Sequence, residues 1–446
     1  MPLNADMASF PVSKKFKGLF VFLLFGICPA LLGAPISRSY DKKAKPYLRE
    51  SRIDQFPKSI LAFDIARGLD LAAVALSDLR VRIWRLSSGD VVHEFSFPEP
   101  ATDQRLKLDV EVEPICLQFS PDGKTLAVSF LNVIHLLDVA TWQERKSLAV
   151  EGEDRVRPGI TVTDQTPQLR RRTARQAQAQ SEQPNRDINQ TMRGWAAERH
   201  LGDGRTRIRD FAFAPSGLFI LASYCRGACW SGPTIQRVAV PTGNDPVRLW
   251  DLRSASIVWQ RSYDPAGVIS RLVFLPDSAH FIGIDSNLGH CAVSGCNLSD
   301  GRSLWSQKMG PCLYPPSIVV LQGEEFITNR VSESNLKNRK KKLWRYAARY
   351  STADGGKIVD FPGRDGVGAA VVSGDGRWLV LSIWLGIQFQ VWDLRENRVI
   401  LKEVPRGWKR TAEGIIDIVD MTSDNHWLVV GSSASGRLAV YDFTLH

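Results

Sequence analysis

Histidine is scarce in this chain of 446 residues: only seven are present, and no two stand in the His-x-x-x-His spacing that binds a metal ion from one helix face. The chain also lacks the Gly-x-Ser-x-Gly turn of serine hydrolases, the Gly-x-x-x-x-Gly-Lys phosphate loop and a complete dinucleotide fingerprint. These absences remove the sequence signals of several large enzyme classes. We therefore expect a protein that is not an enzyme and needs no cofactor or metal ion.

Cysteine is also infrequent, with seven in the chain, one of which lies in an N-terminal apolar segment. An oxidising compartment would favour a local disulfide between Cys225 and Cys229, which flank a short loop. The candidates for disulfide bonds are Cys225, Cys229, Cys291 and Cys312, and their pairing does not follow from sequence. Zinc binding by Cys225, Cys229, His290 and Cys291 is the alternative, although the spacings match no closed zinc pattern.

Charged residues are absent from residues 18–36, and Lys14, Lys15 and Lys17 precede this apolar stretch. A basic region, an apolar core and small residues at its end are typical of a secretory signal. Two prolines shorten the useful helix, so we expect cleavage and an exported protein, periplasmic or secreted. The alternative is a membrane anchor formed by residues 18–36, because nineteen uncharged residues just span a bilayer.

A recurring pattern dominates the rest of the chain: an apolar run ends in an aromatic residue or leucine, and a charged residue follows. The pairs are Trp84-Arg85, Leu137-Asp138, Trp250-Asp251, Trp392-Asp393 and Tyr441-Asp442, with Trp344-Arg345 as a weaker sixth. Trp392 and Tyr441 are 49 residues apart, and Trp344 and Trp392 are 48 apart. A strand-rich period of roughly 40 to 50 residues is typical of the blades of a β-propeller.

One repeat unit, residues 368–401, shows how such a blade is built. Four short apolar runs are separated by Gly, Asp and Asn turns, which predicts a four-stranded antiparallel meander. The runs are apolar on nearly every position, so both faces of the sheet must be covered, and radially stacked blades cover one another. Similar units recur seven times from residue 59 to the C-terminus. We predict an all-β, seven-bladed β-propeller, and the weak fourth and fifth units leave six or eight blades open.

These units resemble the WD-repeat (WD40-like) propeller family. The matching motifs are Phe-Ser-Pro-Asp-Gly-Lys at 119–124, Val-Arg-Leu-Trp-Asp-Leu at 247–252 and Val-Trp-Asp-Leu at 391–394. The family's Gly-His pair is missing from every unit, which leaves a quinoprotein-like propeller as an alternative. The resemblance implies that residues 45–53 close the ring by completing the last blade. It implies nothing about function, because one fold hosts many activities.

The predicted domain organisation is then a signal peptide or anchor at 1–36, a linker with the ring-closing strand at 37–58, and the propeller at 59–446. Within the propeller, residues 151–207 are rich in Arg and Gln and nearly devoid of apolar runs, so we expect a flexible basic insertion rather than a blade. Two further insertions are expected at 224–246 and 329–342. All three fall in connection types that lie on one face of the ring, where long loops build binding surfaces.

The net charge of +10 is concentrated in these loops, in the basic clusters 170–175 and 337–345. Basic patches attract anionic partners, although a charged loop is often only a solvated surface. The predicted binding residues are Arg170, Arg171, Arg172, Arg175, Trp230, Lys340, Lys341, Lys342 and Arg345. We expect an exported interaction scaffold that binds an acidic protein partner and no nucleic acid. The alternative is an envelope enzyme of the quinoprotein or lactonase kind, with its site in the central channel.

Overall fold

The computed structural model describes the chain from residue 46 to residue 445, with gaps at several connections. The described residues are 46–97, 116–149, 206–226, 246–263, 269–287, 290–310, 318–321, 324–331, 345–360, 367–383, 386–409 and 414–445. Within these ranges the chain forms 28 β-strands in seven four-stranded antiparallel sheets. The described part of the chain contains no helix long and apolar enough to span a membrane.

The first strand, β1 (Pro46–Gln55), stands apart from its neighbours in sequence, and the next twelve strands form blades 1 to 3. Blade 1 is β2 (Ile60–Ile65), β3 (Leu71–Leu76), β4 (Arg80–Arg85) and β5 (Val91–Ser96). Blade 2 is β6 (Leu117–Phe119), β7 (Thr125–Phe130), β8 (Val133–Asp138) and β9 (Glu144–Leu148). Blade 3 is β10 (Thr206–Phe213), β11 (Phe219–Arg226), β12 (Pro246–Asp251) and β13 (Ser256–Ser262).

The remaining strands form blades 4 to 7. Blade 4 is β14 (Ile269–Phe274), β15 (His280–Asn287), β16 (His290–Asn297) and β17 (Ser303–Gly310). Blade 5 is β18 (Ile318–Val320), β19 (Glu325–Val331), β20 (Arg345–Ser351) and β21 (Lys357–Asp360). Blade 6 is β22 (Val367–Val372), β23 (Trp378–Ile383), β24 (Phe389–Asp393) and β25 (Arg398–Glu403). Blade 7 is β26 (Ile418–Met421), β27 (Trp427–Ser432), β28 (Arg437–Leu445) and the distant β1.

The ring is closed by β1, which pairs antiparallel with β28 from Pro46 opposite Leu445 to Gln55 opposite Arg437. This is the closure that the sequence resemblance implies. The predicted fold class, an all-β propeller of seven blades, is confirmed, and the two weakest repeat units both form complete blades.

Every blade is an up-and-down meander, so its connections alternate between two faces of the ring. First-to-second and third-to-fourth connections lie on one face, which we call the turn face. Second-to-third connections and the links from an outer strand to the next inner strand lie on the other, which we call the insertion face. Because β1 runs antiparallel to β28, the chain enters the ring at Pro46 on the turn face.

The turn face is held by tight turns with left-handed residues. Gly123, Gly217 and Gly376 have φ angles of 70°, 68° and 69° in equivalent first-to-second turns, and Ser278 and Asn425 adopt the same conformation in blades 4 and 7. Aspartates also hold these turns together, because Asp122 and Asp375 each accept a hydrogen bond from the backbone N–H two residues later. These aspartates therefore stabilise the turns.

Neighbouring blades are also joined on the turn face, because the outer strand of one blade contacts the third-to-fourth turn of the next. Trp259 Nε1 donates to the carbonyl of Leu298 at 2.6 Å, and Trp305 Nε1 donates to that of Thr352 at 2.7 Å. Lys146 Nζ reaches the carbonyl of Arg253 at 2.7 Å in the same way. The tryptophans at the repeat positions are buried between blades, as expected from the sequence: Trp84, Trp250, Trp378 and Trp392.

Candidate functional site: the insertion face and the central channel

The three predicted insertions leave and re-enter the ring at the insertion face. In blade 3, β10 begins at Thr206 and β11 ends at Arg226, so the strands extend two and three residues into the predicted insertions 151–207 and 224–246. Thr206 and Arg226 are register partners, so the two insertions flank adjacent strand ends. In blade 5, Val331 and Arg345 are register partners across the third insertion.

Most of the predicted binding residues themselves lie outside the described residues. They are Arg170, Arg171, Arg172, Arg175, Trp230, Lys340, Lys341 and Lys342. Arg345 is described as the first residue of β20, at the strand end that carries the third insertion. The structure therefore locates the points at which the basic segments join the ring, and the role of those residues stays a prediction.

The candidate disulfide cysteines divide in the same way. Cys225 lies near the end of β11, opposite Arg207 in register, and Cys291 lies buried near the start of β16. Cys229 and Cys312 lie outside the described residues, so the pairing stays a prediction. Cys116 and Cys296 are thiols in the structure, and burial raises the pKa of Cys296 to about 11, which keeps it protonated. Cys116 is half-buried beside the channel.

The innermost strands enclose a central channel with a cavity of about 350 Å³. Four carboxylates and one guanidinium line it: Asp64, Asp210, Asp417, Asp420 and Arg271. No sequence motif indicates these inward-pointing carboxylates. The missed signal is an aspartate within an apolar run just before the first turn of a blade, as in Phe63-Asp64-Ile65.

The innermost strands of three consecutive blades carry a polar side chain at equivalent positions. Two of these side chains are aspartates and the third is a glutamine. Asp420 in blade 7 accepts the backbone N–H of Ile65 in blade 1 at 3.1 Å. Asp64 in blade 1 accepts that of Phe119 in blade 2 at 2.6 Å. Gln118 in blade 2 continues the series by accepting the N–H of Phe213 in blade 3 at 2.9 Å. Each side chain therefore joins its blade to the next across the channel wall.

The same ring position is apolar in blades 3 to 6, where it holds Ala212, Val273, Val319 and Val371. At the junction of blades 3 and 4 the side chain that joins the two blades stands two residues earlier on the inner strand, nearer the insertion face. There Asp210 accepts the N–H of Leu272 at 2.8 Å and lies 3.9 Å from the guanidinium of Arg271. The polar side of the channel thus extends from blade 7 to blade 4.

The two aspartates nearest the turn face are enclosed and close enough to affect each other. Burial raises the pKa of Asp64 well above its usual range, and the negative charge of Asp420 raises it further. Burial also raises the pKa of Asp420 to about 6, against the opposing effects of the Met421 N–H and the Arg67 cation. Both carboxyl groups of this pair therefore bind a proton more readily than an exposed aspartate does.

The opposite mouth of the channel is marked by Asp417, at the insertion face. Asp417 accepts both the backbone N–H of Ser433, at 2.7 Å, and its hydroxyl. No histidine is among the residues that line this cavity. Across the described ranges, no three His, Cys, Asp or Glu side chains are placed to hold a metal ion together. The channel therefore carries more acidic than basic side chains, and its polar groups are concentrated on one side.

No known protein family matches this chain, and no curated protein is similar to it by sequence.

Proposed function

We propose that this propeller is an exported, WD-repeat-like interaction scaffold and that its insertion face binds an acidic protein partner. The observation that carries the proposal is the convergence of the insertions. Thr206 opposite Arg226, and Val331 opposite Arg345, fix the ends of all three at one face. A rigid ring that presents several long loops at one face is a common basis for protein recognition.

The charge of the loop sequences indicates the chemistry of the partner. Residues 170–175 and 337–345 contain ten arginines and lysines and no acidic residue. Loops of this composition attract a negatively charged surface over about a Debye length, roughly 8 Å at physiological ionic strength. The channel, in contrast, carries more carboxylates than cations, so an acidic partner would be held by the loops around the mouth rather than inside the bore.

The test is an affinity capture from cell-envelope extract with three forms of the protein. The first is the wild type, and the second has the basic residues of 165–180 and 337–342 replaced by glutamine. The third is a matched control, with exposed turn-face arginines replaced by glutamine: Arg253, Arg302 and Arg398. We expect an acidic partner that the wild type and the control retain, that the second form loses, and that added salt releases.

Equal retention by all three forms would contradict the proposal, because the loop charges would then contribute nothing to recognition. Loss from the turn-face control alone would contradict it as well, since the partner would then occupy the other face.

A second candidate function, an enzyme of the quinoprotein or lactonase kind, is favoured by the four channel carboxylates alone. Asp417 at the insertion-face mouth is the residue that a substrate or cation would meet first. The test is calcium binding and lactone hydrolysis by the wild type and by Asp417→Asn. Calcium-dependent turnover that this substitution abolishes would support the enzyme. If the wild type shows no such turnover, the enzyme proposal is contradicted and the scaffold proposal stands.

A further inference from the structure

The central channel carries opposite charges at two different depths. Asp64 and Asp420 line it towards the turn face, and Arg271 lines it nearer the insertion face. Arg271 stands two residues before Val273, which is the blade 4 residue equivalent to Asp64. Two residues of an extended strand rise about 7 Å, so the guanidinium and the carboxylate pair are offset by about that distance along the channel.

The order of the blades also places these charges on opposite walls. The innermost strands follow one another around the channel in blade order, and blade 7 meets blade 1. Blade 4 is therefore three blades away from both of them. Arg271 on blade 4 lies across the cavity of about 350 Å³ from Asp64 and Asp420.

The carboxylate pair has backbone donors but no cation in contact within the described residues. Asp420 accepts the N–H groups of Ile65 and Met421, and Asp64 accepts that of Phe119. Arg67 acts on both carboxylates only through its more distant charge, and the pKa of each stays raised by burial. A cation between the two carboxylates would offset their repulsion and their loss of water. An ammonium group suits this place, because it has one positive charge and three N–H donors.

Arg271 offers the complementary charge on the other wall. Its guanidinium lies 3.9 Å from Asp210 and, within the described ranges, donates no hydrogen bond. Its side chain is 46% exposed and lines the channel, so its N–H donors can reach a ligand there. A guanidinium binds a carboxylate by two parallel hydrogen bonds, which favours a ligand carboxylate at this wall.

The wall between the two charged sets is apolar on blades 4 to 6. Val273, Ile318, Ala369 and Ala370 line the cavity there. Ligand pockets typically measure about 300 to 1,000 Å³, and a cavity of about 350 Å³ is at the small end of that range. The cavity therefore suits a small ligand with a positive end, a negative end and an apolar body.

We propose that the channel binds a short free peptide, with its terminal ammonium group between Asp64 and Asp420 and its terminal carboxylate on Arg271. Its apolar side chains pack on the wall formed by blades 4 to 6. A single α-amino acid is too short, because one carbon atom separates its two charges, whereas three extended residues span roughly 10 Å. This inference goes beyond the proposed function and does not depend on it, because the basic loops take no part in it.

Isothermal titration calorimetry of the full chain at pH 7 tests the proposal with the tripeptide Ala-Leu-Ala. Two matched probes each lack one charge: the N-acetylated peptide has no ammonium group, and the C-terminal amide has no carboxylate. We expect saturable one-to-one binding of the free peptide. Each blocked peptide should bind about tenfold more weakly or worse, because each loses a charge-assisted contact.

Two variants assign the ends of the peptide to the two walls. Arg271→Gln removes the partner of the carboxylate, so it should bind the free peptide and the amide equally. Asp64→Asn combined with Asp420→Asn removes both negative charges, while the amide oxygens can still accept the backbone N–H groups. This double variant should bind the free and the acetylated peptide equally. Arg302→Gln, on the exposed turn face, is the matched control and should bind all three peptides as the wild type does.

The three peptides are compared on the wild type itself, so a variant that fails to fold does not hide the answer. Equal binding of all three peptides by the wild type would overturn the proposal, because the charged ends would then contribute nothing. No saturable binding of the free peptide at millimolar concentration would overturn it as well. So would an Arg271→Gln variant that still prefers the free peptide to the amide, because the carboxylate would then lie elsewhere.

Discussion

The two faces of this propeller are built from the same strands but obey different constraints. On the turn face, the connections are only a few residues long, carry left-handed residues and are contacted by the preceding blade, as Trp259 contacts Leu298. On the insertion face, register partners such as Val331 and Arg345 are joined by segments of more than ten residues. Blade-to-blade hydrogen bonds occur on this face as well, for example from the N–H of Ile208 to the carbonyl of Leu131 at 2.9 Å, so the two faces differ in the length of their connections rather than in the presence of such contacts.

The largest effect on stability should come from removing β1, the strand that closes the ring. Deletion of residues 46–55 exposes the edge of β28 and removes Leu48 and Ile53 from the core between blades 6 and 7. We expect a loss comparable to the whole free energy of unfolding, about 5 kcal/mol or more. Chemical denaturation followed by circular dichroism measures it. Ser51→Ala, at an exposed position of the same strand, serves as the control, and a deletion no worse than this control would contradict the closure.

The next largest effect is expected at a buried ion pair near the turn face. Arg377 Nη2 lies 3.2 Å from Asp393 Oδ2, both side chains are almost fully buried, and the guanidinium lies over the ring of Trp378. Arg377→Leu leaves a buried carboxylate without its cation, so we expect a loss of roughly 3 to 5 kcal/mol in unfolding free energy. Arg302→Ala, an exposed pair on the same face, should cost less than about 1 kcal/mol. Similar losses would contradict this account.

Two glycines with similar backbone conformations sharpen the comparison of the faces. Gly217 on the turn face and Gly436 on the insertion face have φ angles of 68° and 67°. A Cβ at Gly217 meets nothing within 4 Å, whereas one at Gly436 lies 2.5 Å from the carbonyl oxygen of Lys58. Gly217→Ala should cost about 1 kcal/mol from the backbone alone, and Gly436→Ala about 3 kcal/mol. Thermal unfolding of both variants measures the difference, and equal costs would contradict it.

The smallest expected effect is a pH dependence at the turn-face end of the channel. Folding raises the pKa of Asp420 to about 6 and also raises the pKa of Asp64, so at these two groups the folded state binds more protons than the unfolded chain. The contribution of this pair to stability is therefore fully present below about pH 4 and is lost as pH rises through 6, by roughly 2 kcal/mol.

Asp420→Asn should flatten this dependence, because the amide oxygen can still accept the Ile65 N–H without adding a charge. Asp424→Asn, at an exposed turn, should leave it unchanged. Urea denaturation between pH 4 and pH 8 measures the wild type and both variants, and an Asp420→Asn variant with the same pH dependence as the wild type would contradict the assignment.

The fold was predictable because each blade repeats one local pattern. Apolar runs, Asp and Gly turns and an ending of an aromatic residue or leucine before a charged residue recur along the chain, so the repeat units support one another. Even blade 5, whose innermost strand is only Ile318–Val320, keeps its place because its neighbours fix it. The closing strand β1 was predictable only through the family resemblance, because its partner β28 lies at the other end of the chain.

The channel was not predictable in the same way. Asp64 and Asp420 look like isolated breaks in apolar runs, and their proximity arises only when blade 7 meets blade 1. The bulges that expose Val258 and Leu304 were missed for a related reason, since a one-residue register skip leaves no mark on the alternation of an outer strand. Long-range neighbours and local irregularities are the features that a repeat pattern hides.

The most direct test of the central claim is to cross-link the captured partner through lysines on both faces. Exposed Lys58 and Lys409 lie on the insertion face, whereas exposed Lys124 and Lys357 lie on the turn face. The account predicts that a lysine-reactive cross-linker joins the partner to Lys58, Lys409 and the lysines of 337–342, and leaves Lys124 and Lys357 unlinked. Cross-links confined to Lys124 and Lys357 would contradict it.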